Sequence, residues 1–234
     1  MLFFRSLLYF IGSIISVITI TLCGLFFVFS PYSTRQKFLS QWAIFCIWWL
    51  KITLNITTTI IGQENVNKSP CVIISNHQST WETLAFQTIF PAHTWVLKKE
   101  LLWLPVFGWS LALLKPIIIN RGDKLNAIKK VISQGSDRLK KGISVVVFPE
   151  GTRQPYNQLG EYQNGGAAIA KKSGYDIIPV YHNAGKIWPK GGFIKKSGVI
   201  TIVIGEVISS SNMTSSGITE EIRNWTLDQA NKYG

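Results

Sequence analysis

The sequence predicts an α/β fold: a mixed, mostly parallel sheet of about seven strands flanked by helices, preceded by N-terminal membrane-associated helices. Three observations carry this prediction. Beyond Lys51, short Val/Ile-rich runs alternate with longer segments of helical spacing. Those runs are continuously apolar, as expected when both faces of a sheet are covered. Ahead of them the chain is apolar enough to need lipid. At 234 residues it holds one such domain and a short extra segment, divided here as 1–52 and 53–234.

From Ser6 to Thr34 there is no charged residue, and the run has the length of a spanning helix, roughly 20 residues or more. A secretory signal has a shorter apolar region, about 7 to 15 residues, and a small-residue cleavage site, so an uncleaved anchor is the better reading. A second run, Phe38 to Leu50, is too short to cross a bilayer and rich in tryptophan, which places it in one leaflet. Arg35, Lys37 and Lys51 flank it, and the positive-inside rule puts this side in the cytoplasm.

The predicted strands are Ile56 to Ile61, Cys71 to Ile74, Thr94 to Leu97, Pro116 to Ile119, Ser144 to Phe148, Ile177 to Val180 and Val199 to Ile204. The predicted helices are Thr80 to Ile89, Lys124 to Lys140, Gly165 to Lys172 and Thr219 to Lys232. Active sites of such sheets gather beyond the carboxyl ends of the strands. His77, Arg121 and the PEGTR stretch each follow a strand, and so are expected to face one crevice.

The formal charge of +12, from Lys+Arg 24 against Asp+Glu 12, favours an anionic partner: a lipid surface, a phosphorylated substrate or a nucleic acid. No nucleic-acid-reading motif is present, so charge alone supports the last of these. Cys23, Cys46 and Cys71 lie in apolar stretches without metal-ligand or disulfide spacing, and read as small buried hydrophobes. The sequons at Asn55, Asn212 and Asn224 are chance-level matches. Phosphate-loop, dinucleotide and serine-elbow motifs are absent.

Three stretches carry chemistry. In Ser75 to Thr83, SNHQSTWET, Ser79 and Glu82 fit a capping box, in which the glutamate reaches back to the serine amide. The same carboxylate also suits one nitrogen of His77, leaving the other to take a proton from an attacking hydroxyl. In VVVFPEGTRQP, Glu150, Gly151 and Arg153 follow a buried strand; they read equally as ligand contacts or as a turn with Glu150 and Arg153 paired on the surface. In PIIINRG, Arg121 presents a permanently charged fork suited to phosphate. His93 and His182 lack a nearby carboxylate in the sequence and read as surface or core histidines.

Together, in this order, the stretches NHQSTWE, IIINR, FPEGTR and IIPV resemble the four blocks of the membrane glycerolipid acyltransferases. The resemblance covers roughly Ile61 to Val207. One position departs from the pattern, Glu82 standing where the family usually has aspartate. The resemblance implies acyl transfer from a thioester, acyl-CoA or an acyl carrier protein, to the free hydroxyl of lysophosphatidic acid, with no cofactor and no metal. His77 would be the base, Glu82 its partner, and Arg121, Glu150, Gly151, Thr152, Arg153 and Lys98 the acceptor-binding set. Backbone amides at the start of the helix after His77 are the candidate oxyanion donors. The implied setting is a membrane, single-pass or monotopic, with the site on the cytoplasmic face, as in a bacterial inner membrane. Another acceptor on the same fold, or a lipid-binding protein without turnover, are the alternatives.

Overall fold

The computed structural model describes residues 1–66, 69–119, 124–211 and 213–234, the side chains of 124–127 excepted. Arg121, its neighbour Gly122 and the sequon at Asn212 therefore lie outside the described residues.

Helices α1 (Leu2–Gly24) and α2 (Tyr32–Leu54) pack as an antiparallel hairpin. Trp49 Nε1 donates to Leu8 O and Trp42 Nε1 to Ser13 O, both at 3.3 Å, and the Arg5 guanidinium reaches Thr53 O. The outer face of α1 leaves Phe4, Leu8, Ile11, Ile15, Ile18 and Leu22 exposed at helical spacing. Cys23 also lies exposed here, against expectation, because no protein covers this face; Cys46 and Cys71 are buried.

The second apolar run is only the middle of α2, which begins after Pro31 and ends at Asn55, in the left-handed region at φ 52°. Arg35 lies within α2, ahead of that run. It is buried and donates to Val28 O at 2.8 Å and Ser30 O at 3.1 Å, satisfying carbonyls at the hairpin turn.

The hairpin is held to the sheet domain near both of its ends. The Lys195 amide donates to Ser6 Oγ at 3.1 Å; at the other end Tyr32 Oη donates to His93 O at 2.7 Å, and Gln36 Oε1 accepts from the His93 amide at 3.2 Å. With its 23 residues α1 is about 35 Å long, so a helix tied in this way lies along the domain rather than projecting from it.

The sheet contains β1 (Ile56–Ile61), β2 (Val72–Ser75), β3 (His93–Lys98), β4 (Ile117–Ile119), β5 (Ser144–Val147), β6 (Ile177–His182) and β7 (Gly198–Ile204). Its order is β1-β7-β6-β2-β5-β3-β4, and every neighbouring pair is parallel except β6 with β7. The fold class and the strands agree with expectation. Helices α3 (Trp81–Ile89), α5 (Lys124–Lys140) and α6 (Gly165–Ser173) also fall where periodicity placed them.

Among the described residues, helix α4 (Phe107–Leu113) escaped the sequence reading, and helix α7 (Ser215–Tyr233) was predicted but starts earlier than expected. Helix α4 follows Pro105 and starts without a side-chain cap. It also holds Gly108, where a Cβ would sit 2.2 Å from Leu102 O. Helix α7 begins four residues earlier than Thr219, because Thr214 Oγ1 caps it by accepting from the Gly217 amide at 3.1 Å. Its Ser-Ser-Gly start reads locally as loop.

Alternation explains the core. Ile73, Val146, Ile178 and Val180 face the hairpin and α3; Val72, Ile74, Val145, Val147 and Ile177 face α5, α6 and α7. Each central strand therefore needs apolar side chains on both faces, with polar residues confined to its ends. Tyr9, Leu39, Leu50 and Leu54 of the hairpin join the first of these cores.

Candidate active site

The buried central strand β2 delivers residues 76–80 to the carboxyl end of the sheet, beside the loop that follows β5. His77 Nδ1 lies 2.7 Å from Glu82 Oε1. The same oxygen accepts the amides of Ser79 at 2.8 Å and Gln78 at 3.0 Å. The reach of Glu82 back to the Ser79 amide and its pairing with histidine are thus both realised by one carboxylate oxygen on the first turn of α3, although Thr80 rather than Ser79 is the N-cap and the other half of the capping box does not form. Since the carboxylate only accepts, Nδ1 carries the proton and Nε2 keeps its lone pair. Nε2 has no hydrogen-bond partner among the described residues, and the imidazole, stacked on Phe148 at 4.1 Å, lines a large cavity.

Glu82 is completely buried. Burial pushes its carboxyl up, but the N–H dipoles of the neighbouring His182 and hydrogen-bonded His77 and the Ser79 amide outweigh this and hold it below the ordinary carboxylate value. His182 is a residue whose setting the sequence did not reveal. Its Nε2 donates to Asn76 O at 3.0 Å and its Nδ1 accepts from the Ala184 amide at 3.3 Å, which fixes a neutral tautomer. Burial pushes this ring down, in keeping with that state. Nε2 also lies 3.9 Å from Glu82 Oε2, so His182 is a core histidine, as read, with a carboxylate neighbour that is distant in the sequence. That contact spans β6 and α3, far apart in the chain, which is why local spacing did not show it.

The backbone of His77 is held from both sides. Its amide donates to Glu150 Oε2 at 3.0 Å, and its carbonyl accepts from the Gln154 amide at 2.7 Å. The PEGTR stretch does form a turn, closed by Gly151 N to Phe148 O at 3.1 Å, with Gly151 at φ +66°, where glycine carries no Cβ strain. Glu150, however, is not paired with Arg153 on the surface. It turns inward as a clamp, and burial raises its carboxyl to about 7 against the pull of the His77 and Gly160 amides.

Asn76 is a second latch. Its Nδ2 donates to His182 O at 2.9 Å and its Oδ1 accepts the His182 amide at 3.0 Å, joining the ends of β2 and β6. Gln78 continues the lacing, donating to Tyr156 O at 3.0 Å and accepting from the Gly185 amide at 3.2 Å.

The cavity has a volume of about 850 Å³. His77, Lys98, Gly151, Thr152 and Arg153 line it together; Glu82 and Glu150 stand behind that lining. Lys190 also contributes to the wall, although nothing in the sequence marked it. Lys98, Arg153 and Lys190 make no ion pair among the described residues, which leaves three cations in the cavity wall for an anion. The remaining wall is mostly apolar: Val17 and Ile20 of α1, Leu39 and Trp42 of α2, Leu97, Phe107, Leu111 and Val131 among others. The helix-start amides expected to hold an oxyanion are already used, those of Gln78 and Ser79 by Glu82 and that of Trp81 by Ser79 Oγ at 3.2 Å.

A base with a fixed tautomer, cations and a deep apolar wall in one cavity suit reaction of an anionic substrate that carries a hydrocarbon chain. Comparison with known proteins agrees with that chemistry. Residues 57–183 match the family model described as Acyltransferase. A 1-acyl-sn-glycerol-3-phosphate acyltransferase of Pseudomonas aeruginosa is 44% identical over 191 residues, covering 81% of this chain and 74% of the relative. One of Saccharomyces cerevisiae is 28% identical over 241 residues, covering 97% and 79%. The crystal structure of a 1-acyl-sn-glycerophosphate (LPA) acyltransferase from Thermotoga maritima superposes with a TM-score of 0.82 over 98% of this chain and 94% of its own; at 20% identity it speaks for the fold.

Proposed function

The chain belongs to the acyltransferase family, and from that premise we propose that it transfers a fatty acyl group from a thioester to the free hydroxyl of 1-acylglycerol-3-phosphate, making phosphatidic acid. The observation that carries the mechanism is the 2.7 Å contact of His77 Nδ1 with the buried Glu82 carboxylate, which leaves Nε2 as a base on the cavity wall.

In this reading Nε2 takes the acceptor's hydroxyl proton as the oxygen attacks the thioester carbonyl. The ester C–O bond forms, the tetrahedral intermediate collapses, the C–S bond breaks, and the imidazolium returns the proton to the leaving thiolate. Glu82 stabilises the imidazolium, and no acyl-enzyme is required. The acyl donor is acyl-CoA or an acyl carrier protein. Arg153 and Lys98, with Arg121 from outside the described residues, are the groups we assign to the acceptor phosphate, and Gly151 and Thr152 line the same region. Glu150 acts on the acceptor indirectly, through the backbone of His77.

We assign residues 1–52 to membrane anchoring. A hairpin tied down near both ends, with one apolar face exposed, supports seating in a single leaflet over a crossing of the bilayer. The basic flanks favour the cytoplasmic side.

The test is conversion of lysophosphatidic acid and a labelled oleoyl thioester to phosphatidic acid by detergent-solubilised protein. His77→Ala is expected to lose about 10²-fold or more of kcat with its fold intact. Retention of more than half of the activity would remove His77 as the base. Silence of the wild type with both donor types, across a panel of acceptors, would remove the reaction.

A further inference from the structure

Between β6 and β7 the chain runs through KIWPKGGFIKKSG, and no acidic residue occurs from Ile177 to Gly205. Two side chains at the tip of this loop point outward, Phe193 at 39% and Ile194 at 47% exposure, and Lys186, Lys190 and Lys196 beside them are exposed. A loop surface is ordinarily polar.

Lys195 does the opposite of its neighbours and turns inward, with 3% exposure. Its Nζ lies 4.5 Å from the Trp188 ring, 5.0 Å from the Tyr9 ring and 5.6 Å from the Phe193 ring, and donates to Phe193 O at 3.0 Å. Together with the bond from the Lys195 amide to Ser6 Oγ, this staples the loop to the N-terminal end of α1. Phe193 then packs on Phe3 at 5.6 Å and Phe10 at 5.9 Å, both themselves exposed. Phe3, Phe4, Phe10, Phe193 and Ile194 thus form an apolar surface that continues the outer face of α1 across to the sheet domain. Lys190, exposed and also part of the cavity wall, stands at the rim of the cavity on the same loop.

We propose that the 189–197 loop is a second membrane contact, separate from the helical hairpin, which inserts Phe193 and Ile194 into an anionic bilayer surface and sets Lys190 and Lys196 against the lipid phosphates at the cavity rim. The occupant is lipid for two reasons: the patch is continuous with a helix face apolar enough to need a bilayer, and its surround is basic without a counter-charge. The loop fixes the sheet domain's orientation on the membrane and holds the cavity rim at headgroup depth, where a phosphate-bearing lipid presents itself.

The test uses the full chain with Cys23→Ser, which leaves Cys46 and Cys71 buried, and a polarity-sensitive fluorophore at Ile194→Cys. Lys196→Cys supplies a second label site, and Ser216→Cys on α7 an exposed control. The protein is reconstituted in phosphatidylcholine vesicles with and without phosphatidylglycerol. The label at 194 is expected to be quenched by spin-labelled lipid and shielded from iodide, more strongly with phosphatidylglycerol, while the label at 216 behaves oppositely. Lys190→Gln with Lys196→Gln, read from the label at 194, is expected to abolish the phosphatidylglycerol increment. Equal iodide quenching at 194 and 216 would overturn the proposal, since the loop would then lie in water. Shielding at 194 from iodide and spin-labelled lipid alike would also overturn it, by showing a protein partner on the patch. Because the readout is optical, loss of the proposed acyltransferase reading would leave it standing, and the reverse.

Discussion

Glu150 shows a charged motif residue turned inward to the backbone, where it accepts from the His77 amide. Its carboxyl holds its proton up to about pH 7 in the native state, against an ordinary value of 4.5. Between those values the folded chain binds more protons than the unfolded one, so this group's stabilisation is full below about 4.5 and is lost as pH rises through about 7. The span corresponds to on the order of 3 kcal/mol at most. Thermal unfolding in detergent at pH 5 and pH 8 should therefore show a larger drop for the wild type than for Glu150→Gln. Equal drops would mean the carboxyl is not held as described. Phosphate recognition gives a second prediction at this scale: Arg121→Lys should raise the acceptor KM more than the donor KM, because a forked bidentate contact becomes a point charge. Equal effects on both would remove Arg121 from the acceptor. Sequence made His77 and Glu82 legible because they share one turn and its spacing. It did not reveal that Glu150 clamps the His77 amide, that Asn76 latches β6, or that His182 flanks Glu82, since these contacts cross 73 to 106 residues of chain.

At the scale of elements, the strands were legible because a central parallel strand is apolar on both faces, a pattern that survives without tertiary information. Helix α4 and the start of α7 were not. One starts without a side-chain cap and holds a glycine that the close Leu102 backbone requires, and the other opens with serines and glycine ahead of which Thr214 supplies the cap. The hairpin was legible as membrane-associated but not as part of the cavity, yet Val17 and Ile20 of α1 form its wall. A bulkier residue there should shorten the hydrocarbon the cavity accepts. Ile20→Trp is expected to shift preference from stearoyl toward lauroyl donors in a competition assay, with total activity on the shorter chain retained. An unchanged preference would place the acyl chain elsewhere.

For the whole molecule, the topology places the sheet's central strand between partners drawn from distant parts of the chain: β2 pairs with β5 and β6, and β1 pairs with β7. The Asn76–His182 latch belongs to this pattern, with its partners 106 residues apart. Closing so long a loop is entropically slow, while the helices and local turns need no such closure. The Asn76–His182 latch, which joins the strand ahead of His77 to β6, thus forms only once β6 has docked. Refolding from urea into micelles should recover most helical circular dichroism in an early phase and catalytic turnover in a later one, with Asn76→Ala lengthening the gap. Coincident recovery would argue against it. An unfinished chain, already lipid-bound through its first helices, would then sit among its own substrates without attacking them.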